Sequence, residues 1–143
     1  MFIVSMTHSD IFANTDNALS QSFHPHVLLV RWELASRARN WEAALPIAKG
    51  LIGSLPNEAI GWIYHAFAEQ QLGQLSAARR TLLTAARRFP QDWRIAYNLA
   101  CYAAESGDVA GAQNWLDRAS EVGDPATVKS CAADEPRLMV VAC

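Results

Sequence analysis

The chain has 143 residues, 51% of them hydrophobic and 18% charged, with a formal net charge of −2. The apolar fraction excludes general disorder, the length suits one domain or one domain with loose ends, and no apolar run approaches the ~18 residues that cross a bilayer. Three cysteines, Cys101, Cys131 and Cys143, are odd in number and form no Cys-x-x-Cys pair, so a reducing, cytoplasmic setting is expected rather than a disulfide framework. The opening Met1-Phe2-Ile3-Val4 is apolar but short, with no Lys or Arg before it, which predicts no secretory signal. Charge is uneven: residues 31–94 hold nine Lys or Arg and five Asp or Glu, whereas residues 105–143 hold three and seven.

From residue 27 to 121 the chain is dominated by Ala, Leu, Arg, Gln and Glu, all good helix formers, and strand signals are weak. Breakers at Asn40, Gly53 to Pro56, Gly73, Pro90, Gly107 and Gly123 to Pro125 cut this stretch into pieces of ordinary helix length. The predicted helices lie near 25–38, 41–54, 58–72, 75–88, 92–105 and 109–121, with a shorter one from about 126. Asn40, Asn57, Asp92 and Asp108 stand where a short oxygen-bearing side chain caps a first turn. Gly73 and Gly107 stand where left-handed residues end helices. Pro46 falls inside the second helix and removes a backbone bond there, which predicts a kink.

The helices come in pairs with a fixed offset. Pro56 and Pro90 are 34 residues apart, as are Ala44 and Ala78. The same step carries Gly73 to Gly107, Ala78 to Ala112, Leu82 to Leu116 and Ala85 to Ala119. Small residues at these places let helix axes approach to about 8–10 Å. A helix–turn–helix unit of this period resembles the tetratricopeptide repeat. In the second unit Trp62, Ala66, Ala78, Leu82, Ala85 and Pro90 match its pattern, with His65 and Glu69 departing from it. In the third unit Leu99, Ala100, Ala112, Leu116 and Ala119 match. The first is degenerate: Ala44 and Pro56 fit, but Arg31 and Trp32 replace the expected Leu and small residue. The segments Asn98-Leu99-Ala100-Cys101-Tyr102 and Ala133-Asp134-Glu135-Pro136-Arg137-Leu138 resemble a small bacterial subgroup of these proteins.

The resemblance implies an all-α fold, a right-handed superhelix of antiparallel helix pairs of the α-solenoid type with a C-terminal capping helix. Residues 1–24 would be an N-terminal extension or half-repeat, 25–124 the repeat domain (25–58, 59–92, 93–124), and 125–143 the cap and tail. It also implies that the first helices of the pairs line a concave groove for a peptide or partner helix. By i, i+3, i+4 spacing the stripe on that side is Ile60, Ile63, Tyr64, Phe67, Gln70 and Gln71 in the second unit and Arg94, Tyr97, Asn98, Cys101 and Glu105 in the third. In the first it is Leu29, Val30, Glu33 and Arg37. Asn98 is suited to bond a peptide main chain and Arg94 a carboxylate. Only these two are of the carboxylate-clamp type, so a receptor for chaperone tails is not expected. The competing reading is that the aromatics pack between helices or lie under the chain's own ends.

Other features are weaker. Arg79, Arg80, Arg87 and Arg88 form a basic face with no acid between Glu69 and Asp92, read as a solvated surface rather than a docking site. No aromatic interleaves with them, and nucleic acid is not expected. His65 and Glu69 are i, i+4, but a zinc site needs about four ligands and no second pair exists. No phosphate-binding glycine loop or nucleophile elbow occurs. The chain therefore reads as a protein- or peptide-binding scaffold or adaptor, not an enzyme, with no cofactor, no metal and no membrane insertion. The alternatives are a self-associating homodimer and a chaperone for a secreted or assembling partner.

Overall fold

The structure is a computed structural model that describes residues 24–138. The predicted N-terminal extension, apart from His24, lies outside the described residues, as does the tail after Leu138. The chain divides into two compact units, Met1–Leu72 and Gly73–Cys143. The division falls between the two helices of the second predicted repeat.

The first unit contains α1 (Pro25–Arg37), α2 (Trp41–Ser54) and α3 (Ile60–Gln71). Leu28, Trp32 and Ala35 share the inner face of α1, at the i, i+4, i+7 positions that helical geometry brings together. They pack with Ala44, Ile47, Ala48 and Leu51 of α2 and Ala68 of α3 in one core. Asn40 caps α2 as predicted, its side chain accepting the Ala43 N–H at 3.2 Å. The helix runs on through Pro46. Asn57 does not cap α3. The Glu58 N–H bonds the Leu55 carbonyl at 3.1 Å, which holds Asn57 in a turn, and α3 starts after Ala59 with no side-chain cap.

The second unit contains α4 (Leu75–Arg88), α5 (Trp93–Glu105), α6 (Val109–Val122), α7 (Pro125–Ala133) and a 3-10 turn, Pro136–Leu138. Asp92, Asp108 and Asp124 each accept a first-turn N–H, of Arg94, Gly111 and Thr127. Ala96, Ala119 and Val128 form a buried cluster against which Trp93, Tyr97, Trp115 and Leu116 pack. The cap predicted after Pro125 is therefore present as α7, seated through Val128.

The 34-residue step is carried by the backbone. Helices α2, α4 and α6 begin at Trp41, Leu75 and Val109 and end at Ser54, Arg88 and Val122. Ala44, Ala78 and Ala112 have no exposed surface, nor have Leu51, Ala85 and Ala119. A larger side chain at these alanines would have to displace a packed neighbour, typically at 1–3 kcal/mol. Described residues form helices and turns, with no strand among them.

Candidate functional site

The stripe predicted on α3 divides by what its side chains touch. Tyr64 lies flat on Trp32, ring centroids 4.3 Å apart and 5° from parallel. Phe67 meets Trp41 edge-on at 5.3 Å. Both half-buried rings thus pack against the core of the first unit. Ile60, Ile63 and Gln70 are half-buried and Gln71 is exposed. Gln71 donates to the Gln70 side chain at 2.9 Å. Behind the stripe His65 Nδ1 and Glu69 Oε1 are 2.9 Å apart, and the pair is shielded, with 20% and 10% side-chain exposure. Among the described residues no group of three or more His, Cys, Asp or Glu side chains is placed to hold a metal ion.

The stripe on α5 is tied to its own unit. The Arg94 guanidinium makes a two-pronged bond to Asp92, Nη2 to Oδ2 at 2.6 Å and Nε to Oδ1 at 2.9 Å. Burial works to raise the Asp92 pKa, but the bonds and charge of Arg94 outweigh it and hold the carboxyl below its ordinary value. Asn98 donates to the Arg94 carbonyl at 2.7 Å, a back-bond within the helix that leaves its amide oxygen as the group to offer a ligand. The Tyr97 hydroxyl donates to the Cys131 carbonyl of α7 at 3.1 Å, so this ring is partly covered by the chain's own cap. Cys101 has no exposed surface and nothing to offer a partner. Burial pushes its thiol up to about 11, away from the thiolate form that reacts. Glu105 is bonded by Arg137 at 3.2 Å.

In the degenerate first unit, Val30 is half exposed at 51%, Glu33 and Arg37 pair at 2.8 Å on the surface, and Leu29 packs on the core. Two features escaped the sequence reading. Trp32 and Trp41 are the platforms for Tyr64 and Phe67; rings 32 and 26 residues away in sequence leave no local signal. The strap Glu135–Leu138 also grips α5: Leu138 is fully buried, and Arg137 bonds Glu135 and Glu105 while its guanidinium lies 5.8 Å from the Tyr102 ring centre.

No protein-family profile matches the chain, and no curated protein does. Solved structures do. The Yersinia enterocolitica type III secretion chaperone SycD, solved with a peptide of the translocator YopD, superposes with a TM-score of 0.68 at 16% identity, over 81% of this chain and 90% of that one. PcrH, solved with the chaperone-binding region of PopD, gives 0.58 at 20% identity, over 82% and 81%. The fold is therefore all-helical and of the α-solenoid class to which those structures are similar. No helix among the described residues is long and apolar enough to cross a membrane.

Proposed function

We propose that this chain is a protein-interaction module of tetratricopeptide type that takes a peptide segment of a protein partner on the first helices of its hairpins. The observation that carries the reading is the likeness, over four fifths of the chain, to two structures each solved with a segment of another protein bound. The 34-residue recurrence of helix ends supports the repeat type. On α3 the reading uses Ile60, Ile63, Gln70 and Gln71; on α5 it uses the amide oxygen of Asn98, flanked by Arg94 and Glu105, which are held by Asp92 and Arg137. Apolar contact on half-buried isoleucines with amides at the edge is the composition of a recognition surface. The reading assigns no catalysis, and it places the protein in the cytoplasm.

Photo-crosslinking tests it. A benzophenone side chain at Gln71 or Glu105 of the full chain, produced in its native host, is expected to attach to a defined segment of a partner. A synthetic copy of that segment should compete, and Ile63→Asp should cut capture by at least about tenfold with helicity unchanged. Crosslinking no greater than from Lys49, exposed on α2, sinks the reading. The chaperone role of SycD favours a second reading, a chaperone for a secreted or assembling protein. In that case the captured partner would aggregate or be degraded when this chain is absent; a scaffold's partner would not.

A further inference from the structure

The second unit holds a cavity of about 300 Å³ that the α3 and α5 stripes do not use. It lies among the C-terminal half of α4, the 89–92 turn, the start of α5 and the outer side of α6. Its walls are Phe89, Ile95, Trp115 and Val122, with Leu83 on the lip and Arg87 and Arg118 at the rim. The size is at the lower end for a ligand pocket and suits one or two side chains.

The lip is unusual in chemistry. Leu83 is 40% exposed although it sits between two exposed arginines, Arg80 and Arg87, at i−3 and i+4 on the same side of α4. No described residue forms an ion pair with Arg87. Arg118 reaches Glu121 at 3.3 Å and the Pro90 carbonyl at 3.4 Å but remains 45% exposed. The acid that lines the cavity, Asp92, is already occupied by Arg94. The opening is thus cationic and the floor is apolar and aromatic. A solvated basic face needs only the arginines. A site for phosphate alone would have no use for Leu83, Phe89 and Trp115.

We infer that this cavity is a docking site for an acidic peptide segment that inserts one bulky apolar side chain, with carboxylates on either side of the anchor meeting Arg87 and Arg118. Charge complementarity selects the class of partner: guanidinium groups pair best with carboxylates, and the apolar anchor gains by leaving water. The site stands independently of the peptide surface proposed on α3 and α5.

The test uses the full chain and fluorescein-labelled synthetic peptides in which a Leu is flanked on both sides by Asp and Glu. Anisotropy reads affinity, and the indole N–H signal of Trp115 reads location. Binding is expected to shift that signal, to weaken as salt is raised, and to fall at least about tenfold in both Arg87→Glu and Leu83→Asp. Both substitutions are at exposed positions, and circular dichroism verifies the fold. Ile63→Asp should leave this binding unchanged, which separates the site from the surface on α3. A peptide with Gly for the Leu, or with Lys for the acids, should bind at least about tenfold more weakly. The proposal is overturned if no acidic peptide binds, or if either variant binds as the parent does. It is also overturned if the Gly peptide, inorganic phosphate or phosphatidylserine vesicles bind as well as the Leu peptide, since the site would then read charge alone. Arg87-dependent dimerisation without peptide binding, seen by light scattering, would instead make the cavity a contact between copies.

Discussion

A single backbone conformation recurs through the repeats and shows where sequence and structure part. Gly73 and Gly107 have φ of +78° and +85°, and one step of 34 earlier Arg39 has φ of +54°. The turn between helices therefore demands a left-handed residue three times. Glycine supplies it without cost from a Cβ, while a bulky L-residue is disfavoured there by roughly 1–2 kcal/mol. Arg39→Gly is accordingly expected to raise stability by about 0.5–1 kcal/mol, after allowing for the looser unfolded chain. Gly107→Ala should lower it by about 1 kcal/mol or more. Urea unfolding of both variants checks this, and an Arg39→Gly variant less stable than the parent would contradict the strain argument. The two glycines were legible as helix ends. The turn at Asn40 was legible too, but its left-handed residue was not, because the arginine hides a conformation that only the 34-residue register exposes. Asn57 misled for a related reason: a capping residue type is common in turns, and here the bond from Glu58 to Leu55 takes priority over the cap.

Among the elements, several starts in the second unit share one device. Asp92, Asp124 and Glu135 precede α5, α7 and the 3-10 turn, and each carboxylate accepts a backbone N–H two or three residues on. The pKa of each lies below the ordinary value. For Asp124 the bond from Thr127 is the main cause, and for Glu135 the bond from Arg137, which outweighs burial. The sign follows from linkage: a carboxyl depressed in the folded state adds stability above its unfolded pKa, and that stability is lost as pH falls through the folded value. For Glu135 the unfolded value is 4.5. Acid should therefore loosen the strap on α5, and Glu135→Gln should be less stable than the parent at neutral pH yet lose less between neutrality and about pH 3. Thermal melts across that range decide it; parallel curves for parent and variant would mean that the Glu135–Arg137 pair adds nothing. The Asp92 cap follows Pro90 and was expected, whereas Asp124, between Gly123 and Pro125, was not read as a cap. Glu135 was quoted only within a resemblance, since a cap on a three-residue turn has no periodic signal behind it.

For the chain as a whole, the period foretold the number and spacing of helices but not their partition into two compact units. The division lies between Leu72 and Gly73. Their interiors also differ in kind. In the second unit Ala96, Ala119 and Val128 are surrounded by partly buried rings. In the first, Trp32, Trp41, Tyr64 and Phe67 stack across three helices. Spacing assigned Tyr64 and Phe67 to a face without knowing what lay against it, and two of the six residues of the predicted stripe on α3 pack on Trp32 and Trp41. Binding tests at those two rings would confuse lost recognition with lost folding, whereas Gln71 and Ile63 report on the surface. The aromatic stack makes a prediction of its own. Trp32 is 5% exposed, and removing so large a buried ring typically costs about 3–5 kcal/mol. If the rings join α1, α2 and α3 into one cooperative body, Trp32→Ala should lower hydrogen-exchange protection in all three helices together. Loss confined to α1, with α2 and α3 as protected as in the parent, would show that the stack seats one helix and does not hold the unit together.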